Sequence, residues 1–176
     1  MPLNLIKRYP ELLDIGGMSE ASRTASLRGV FQRDIENNPA FAFRKRPIYP
    51  IKGEEPAMQL LFRHLTTVEV LEVIDGTKRK SRIFELERSR RLHWVLPHIQ
   101  EGTSARVEVF SAEDRVDDAW KVRTYILNHD ERYVVVLEPN RKPGAYYLIT
   151  AYHLDRDHSY RKMMKKAAKR KLPDVR

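Results

Sequence analysis

The residues of this chain that could do chemistry are arginines, histidines and hydroxyls, gathered mostly in its second half. The stretch "YYLITAY", residues 146–152, sets a threonine and three tyrosines into an otherwise apolar run. Read as a strand, it puts Tyr146, Leu148, Thr150 and Tyr152 on one side and Tyr147, Ile149, Ala151 and His153 on the other. Upstream, in "VRTYIL", Arg123, Tyr125 and Leu127 share a side. An open face presenting Arg123, Thr150 and tyrosine hydroxyls would hold a phosphate, because a guanidinium is a forked, permanently charged donor and hydroxyls give directional bonds. Threonine and tyrosine are also ordinary strand formers, so the same row fits core filling.

An imidazole would add acid–base capacity. Of six histidines, His93 in "RRLHWVLP" follows the basic cluster Arg88, Arg90 and Arg91. Neighbouring positive charge eases proton loss and suits a general base near neutral pH. His64 in "LFRHLTT" is a second candidate, and a lone histidine on a helix is equally at home as a structural residue. "HLDRDH", residues 153–158, offers two histidines and two aspartates but lacks the HExxH type of spacing, so it reads as a polar loop and no metal site is expected. No cofactor is expected either: none of the seven glycines forms a GxGxxG or GK[ST] pattern, which leaves nucleotide hydrolysis and hydride transfer without support. The absence of cysteine removes disulfides, thiolate nucleophiles and cysteine zinc sites.

The net charge of +9 is uneven. Between His158 and Arg176 stand five lysines and three arginines against one aspartate. A basic tail on a nearly neutral body points to polyanions, nucleic acid first, with a solvated charged helix as the alternative. No apolar run is long enough to span a bilayer and the first residues lack a signal-peptide core, so no membrane association is expected.

These side chains need elements to position them. Residues 1–17 read as irregular. "SEASRTASLRGVFQRDIENNP" reads as a helix over 19–36 with Ser19 as N-cap, followed by a proline-rich irregular stretch, "AFAFRKRPIYPIKGEEP". "AMQLLFRHLTTVEVLEV" predicts a short helix running into an extended piece that ends at "DGT", and "SRIFELERSRRLHWVLPHI" predicts the longest helix, closed by Pro97 and Gly102. Then the period changes to two. "ARVEVF" and "WKVRTYIL" alternate, "RYVVVLE" is a continuous apolar run, and with "YYLITAY" they predict four antiparallel strands, the last three joined by "NHDE" and "PNRKPGA", with a basic helix following from Ser159. The expected fold is α+β: N-terminal helices packed on one face of a four-stranded antiparallel sheet, a basic C-terminal helix, and a second sheet face left open.

Three stretches together, "SRIFELERSRRLHWVLPHIQ", "RTYILNHDERYVVVLEPNRKPGAYYLITAYHLD" and the basic tail, resemble the barnase/EndoU/colicin/RelE superfamily of ribonucleases, in its phage- and prophage-associated branch. The likeness covers residues 56–171 and rests on "LITAY" after "YVVVLE" and on the histidine of "RLHW". It implies a nuclease domain over 56–176; residues 1–55 fall outside it and read as an N-terminal arm with a helix, a candidate docking region for a phage-head or immunity/antitoxin protein. It implies a metal-independent endoribonuclease, cytoplasmic in a host cell or virion-associated, which uses the RNA 2′-hydroxyl as nucleophile and leaves a 2′,3′-cyclic phosphate. On that pattern His93 is the base or acid, Arg123 the phosphate clamp, Thr150 the positioning hydroxyl and Tyr152 a proton relay or stacking platform. Arg90, Arg91, Lys162, Lys165, Lys166 and Lys169 would add affinity for RNA phosphates. The alternative is a non-catalytic nucleic-acid-binding, phage structural or host-inhibitory module.

Overall fold

The computed structural model describes residues 3–103, 106–140 and 144–176. Ser19 caps the first helix, α1 (Glu20–Phe31), with its hydroxyl accepting from the Ser22 amide at 3.3 Å, and a π-helical turn, Gln32–Glu36, continues it. The other helices are α2 (Ala57–Thr66), α3 (Leu86–Ser89), α4 (Val95–Ile99) and α5 (Asp157–Arg170). The strands are β1 (Ala42–Phe43), β2 (Arg46–Pro50), β3 (Thr67–Ile74), β4 (Thr77–Phe84), β5 (Val107–Val116), β6 (Ala119–Asn128), β7 (Tyr133–Pro139) and β8 (Tyr146–His153).

The expected four-stranded antiparallel sheet is incorrect. Six strands, ordered β1-β2-β8-β7-β6-β5, form a curled mixed sheet, a half-barrel, and β3-β4 form a separate two-stranded ribbon. The β5–β8 meander is antiparallel, as the short links "NHDE" and "PNRKPGA" predict for its last three strands, but β2 joins β8 in parallel through Ile48↔Tyr146, Tyr49↔Tyr147 and Pro50↔Leu148. The prolines hid β2. It is nonetheless a strand, because Ile48 is buried between exposed neighbours and Pro50 sits at the strand end, past the last pair with β1.

The long helix expected over residues 81–99 is also incorrect. Asp75 and Gly76, both at positive φ (50° and 75°), make a tight turn after β3, and "TKRKSRIF" returns as β4 in unbroken register from Thr77 to Phe84. The helical remainder breaks into α3, a 3₁₀ turn (Leu92–Trp94) and α4. Pro97 does not end α4 but lies within its first turn, where the missing N–H has no partner to lose. Of the link "PNRKPGA", Arg141–Pro143 lie outside the described residues.

The centre of the sheet is covered on both faces, so the second face is not left open but carries α5, with a groove beside it. On one side Ile126, Val135, Leu137, Tyr146 and Leu148 join the N-terminal Leu13, Ile15, Val30 and Phe31 and the helical Leu65, Leu92 and Trp94 in the larger core. On the other, α5 lays Met163 and Ala167 on Phe110, Ala112, Tyr125, Leu127, Val134 and Val136. The basic tail is therefore an amphipathic helix, its apolar stripe on the sheet and its cations outward except Lys166, which reaches the sheet. Beyond α5 the chain stays attached: the Leu172 amide donates to Ser111, and Thr124 and Tyr146 hydroxyls donate to the main-chain oxygen of Arg176 at 2.8 and 2.6 Å. Among the described residues no helix is long and apolar enough to cross a membrane.

Candidate active site at the edge of strand β8

A β-bulge decides which side chains of the last strand reach the site. Val136 pairs with Thr150 but the next residue, Leu137, pairs with Leu148, leaving Ile149 as the extra residue. The bulge breaks the alternation expected along β8. Tyr146 and Leu148 point into the larger core, whereas Thr150 and Tyr152 share the α5 side with Ile149. The expected row of four is thus two residues on each face. β2 ends its pairing at Leu148, so the following part of β8 meets α2, α3 and the base of the ribbon instead of another strand.

At this edge lies a cleft of about 400 Å³ lined by Val68, Glu85, Glu87, Arg88, Tyr152, His153, Asp155, Arg156 and Ser159. Arg88 is its central cation. The guanidinium is largely buried and donates through Nη1 to three neutral oxygens: the His64 carbonyl at 2.9 Å, the Thr67 carbonyl at 2.8 Å and Thr150 Oγ1 at 3.4 Å. Its Nε is buried without a hydrogen-bond partner, and no carboxylate among the described residues pairs with it. Burial lowers its pKa and the charge of Glu85 opposes that from a distance. Glu85 itself is committed to capping α3, accepting from the amides of Glu87 and Arg88. A buried guanidinium that no carboxylate pairs with among the described residues favours an anion beside it, and Glu85, Glu87 and Asp155 line the same cleft.

Proton-transfer groups stand beside it. His153 lines the cleft with its Nδ1 buried and unpartnered among the described residues. Burial first, then the charge of Arg91, lowers its pKa below the usual imidazole value of 6.5, so the ring is neutral and able to accept a proton at neutral pH. Tyr152 is raised above its ordinary value by burial, against the pull of Lys166 and Arg88, and keeps its phenolic proton. The Arg88 guanidinium carbon lies 5.7 Å from the centroid of its ring. His64, half-buried and neutral for the same reason as His153, sets its ring against the main chain of Ile149 in the bulge.

Around Tyr152 the cleft continues into a groove of about 490 Å³ between the sheet and α5. Arg115, Arg123, Lys162, Lys166 and Arg170 line it against the single carboxylate of Asp114, and Thr150 lies on its floor. Asp114 accepts from Lys166 Nζ at 2.6 Å and from the Tyr125 hydroxyl, which in turn accepts from Lys166 at 3.0 Å.

The structure brings Arg123, Thr150, Tyr152, Lys162 and Lys166 together, and leaves His93 out. His93 is 3% exposed and lines a different cavity with Arg8, Tyr9 and Arg33, on the helical side of the sheet. Both ring nitrogens lack hydrogen-bond partners among the described residues, and burial lowers its pKa to about 4. Arg123 shares the groove but is neutralised by Glu138 at 3.1 Å. Arg90 and Arg91 are tied to Glu87, and Arg91 is buried against Trp94. Lys165 and Lys169 are exposed on α5. The residues that sequence reasoning missed are Arg88, seen only as one of a cluster, and His153, assigned to a polar loop. Their signal was spatial: Arg88 is buried by α2 and β3, over 20 residues upstream.

Among the described residues no group of three or more histidine, aspartate or glutamate side chains converges as metal ligands. No family model, characterised protein or solved structure gives a significant match to the chain.

Proposed function

We propose that the chain is a metal-independent endoribonuclease whose scissile phosphodiester sits on Arg88, with its acid–base histidine at position 153 and not 93. The observation that carries this reading is the buried Arg88 guanidinium, bonded among the described residues to neutral oxygens only and facing a cleft with a neutral histidine. In the reaction His153 accepts the proton of the RNA 2′-hydroxyl as its oxygen bonds to phosphorus. Arg88 and Thr150 hold the charge that builds on the phosphoryl oxygens. The bond from phosphorus to the 5′-oxygen breaks, and Tyr152 gives that oxygen its proton. No water is consumed and the product is a 2′,3′-cyclic phosphate. The cationic groove along α5 holds the neighbouring backbone, and RNA in a host cytoplasm or a virion is the substrate class.

The test pairs an RNA oligonucleotide with the same sequence carrying 2′-deoxyribose at every position. The reading expects both to bind and only the RNA to be cut. Binding of both with cleavage of neither leaves an RNA-binding module, and cleavage of the deoxy strand removes the 2′-hydroxyl mechanism.

A further inference from the structure

A second cluster of guanidinium groups lies on the other side of Thr67 from the cleft. Between α1, α2 and strand β4 is a groove of about 340 Å³ with four arginines, Arg23, Arg28, Arg63 and Arg82, on its walls. Two carboxylates share it, Glu20 and Glu55, and among the described residues only Glu55 pairs with one of the four, Arg63, at 2.7 Å. Arg23 and Arg28 each lie over a phenylalanine ring, with the guanidinium carbon 3.8 Å from the Phe84 centroid and 3.9 Å from that of Phe62. Stacking uses the π face of a guanidinium and leaves its in-plane N–H groups free to donate, while fixing the side chain in place. Arg63 Nε is buried with no partner among the described residues. The positive charge of Arg63 also bears on Arg82, whose pKa is lowered first by burial.

One peptide group joins this cluster to the cleft. The carbonyl oxygen of Thr67 accepts from Arg88 Nη1 at 2.8 Å and from Arg82 Nη2 at 3.1 Å, so the two guanidinium groups meet on a single acceptor. An anion held by Arg88 and another held by Arg82 would therefore be near neighbours along one ligand.

We infer that the groove between α1, α2 and β4 is a second phosphate-binding site, which takes the backbone of the same RNA strand beyond the nucleotide held at Arg88. The ligand's identity rests on the proposed reading of the cleft; the anion site itself does not. A phosphodiester suits it because arginine forks match phosphate oxygens bidentately, and the unstacked sides of Arg23 and Arg28 accept flat bases. The strand then crosses the base of the β3–β4 ribbon at Thr67.

The experiment uses the full chain and the variant Arg23→Gln/Arg28→Gln, which removes two cations that carry no ion pair among the described residues and leaves the cleft intact. With a dinucleotide substrate the variant turns over like the parent. With a single-stranded RNA of twelve nucleotides its affinity falls about 10-fold or more, and the slope of log affinity against log salt drops by roughly 1.4, or ~0.7 for each phosphate no longer neutralised. An unchanged slope and affinity for the longer RNA overturns the inference, as does an equal loss on the dinucleotide. A second arm stands if the chain proves not to bind RNA. Inorganic pyrophosphate titrated into ¹⁵N-labelled protein should shift the Nε–H signals of Arg23, Arg28 and Arg82, in the parent and in Arg88→Gln alike. Shifts at Arg88 alone, or at no arginine, sink the second site.

Discussion

Arg88 Nη1 donates to Thr150 Oγ1 at 3.4 Å across the open edge of β8, so the buried cation and the strand hydroxyl act on the same small volume. Arg88→Lys keeps the charge and loses the fork. Cleavage should fall ~100-fold or more, in the range seen when a fixed transition-state donor is removed. Thermal unfolding should stay cooperative, and kcat should drop more than KM rises.

Thr150→Val keeps the shape and strand propensity and removes the hydroxyl, whereas Thr150→Ser keeps it. The valine variant should fold normally and lose ~10- to 1000-fold in rate, and serine should retain much of the activity. The loss in Arg88→Lys/Thr150→Val should be smaller than the two single losses combined, because the residues touch. Full activity with higher heat stability in the valine variant would make the hydroxyl a packing group.

His153 sets the pH profile. Its folded pKa lies below 6.5, so the neutral, proton-accepting form prevails at neutral pH and is lost as pH falls through that lower value. kcat/KM on RNA should show an acid limb with its midpoint below 6.5. His153→Gln should lose activity and flatten the limb. A limb unchanged in that variant would pass the role to another group, with His64 the next candidate.

His93 has a structural role that a different assay reads. Its folded pKa of about 4 lies below the ordinary 6.5, so the stability it contributes is complete above 6.5 and is lost as pH falls toward 4. Equilibrium unfolding at pH 7 and at pH 4.5 should differ less in His93→Phe than in the parent, by roughly 2–3 kcal/mol. Turnover of short RNA by that variant should match the parent. A large loss of turnover with intact stability would return His93 to the chemistry.

How far the sequence reached is clear from particular residues. Strands β5, β6 and β8 were legible from apolar alternation with a period of two and β7 from its continuous apolar run, and the hydroxyl in "LITAY" marked Thr150 and Tyr152. The bulge at Ile149 was not legible, since it depends on pairing with β7 and not on any residue type. β2 was masked by Pro47 and Pro50, and β4 by a cation-rich run that continues into helical residues. His93 drew attention through its arginine neighbours in sequence, yet burial within the helical layer, away from the groove, outweighs sequence adjacency. The basic tail was legible as a helix but not as a cover for Phe110 and Val134.

Deleting residues 158–176 would strip Met163 and Ala167 from a buried cluster and destabilise the sheet, so the deletion cannot isolate charge. Lys162→Gln/Lys165→Gln/Lys169→Gln leaves the apolar stripe in place. It should weaken RNA binding and lower the salt slope by roughly 0.7 for each phosphate that loses its cation. An unaltered slope would show that these exposed lysines are solvated and no more.

The most direct measurement is end-group analysis of RNA incubated in EDTA with the parent chain and with Arg88→Gln. Fragments ending in 2′,3′-cyclic phosphate should appear from the parent, with almost none from the variant. Fragments with 3′-hydroxyl ends, cleavage that vanishes on chelation, or equal cleavage by Arg88→Gln would contradict the proposed mechanism.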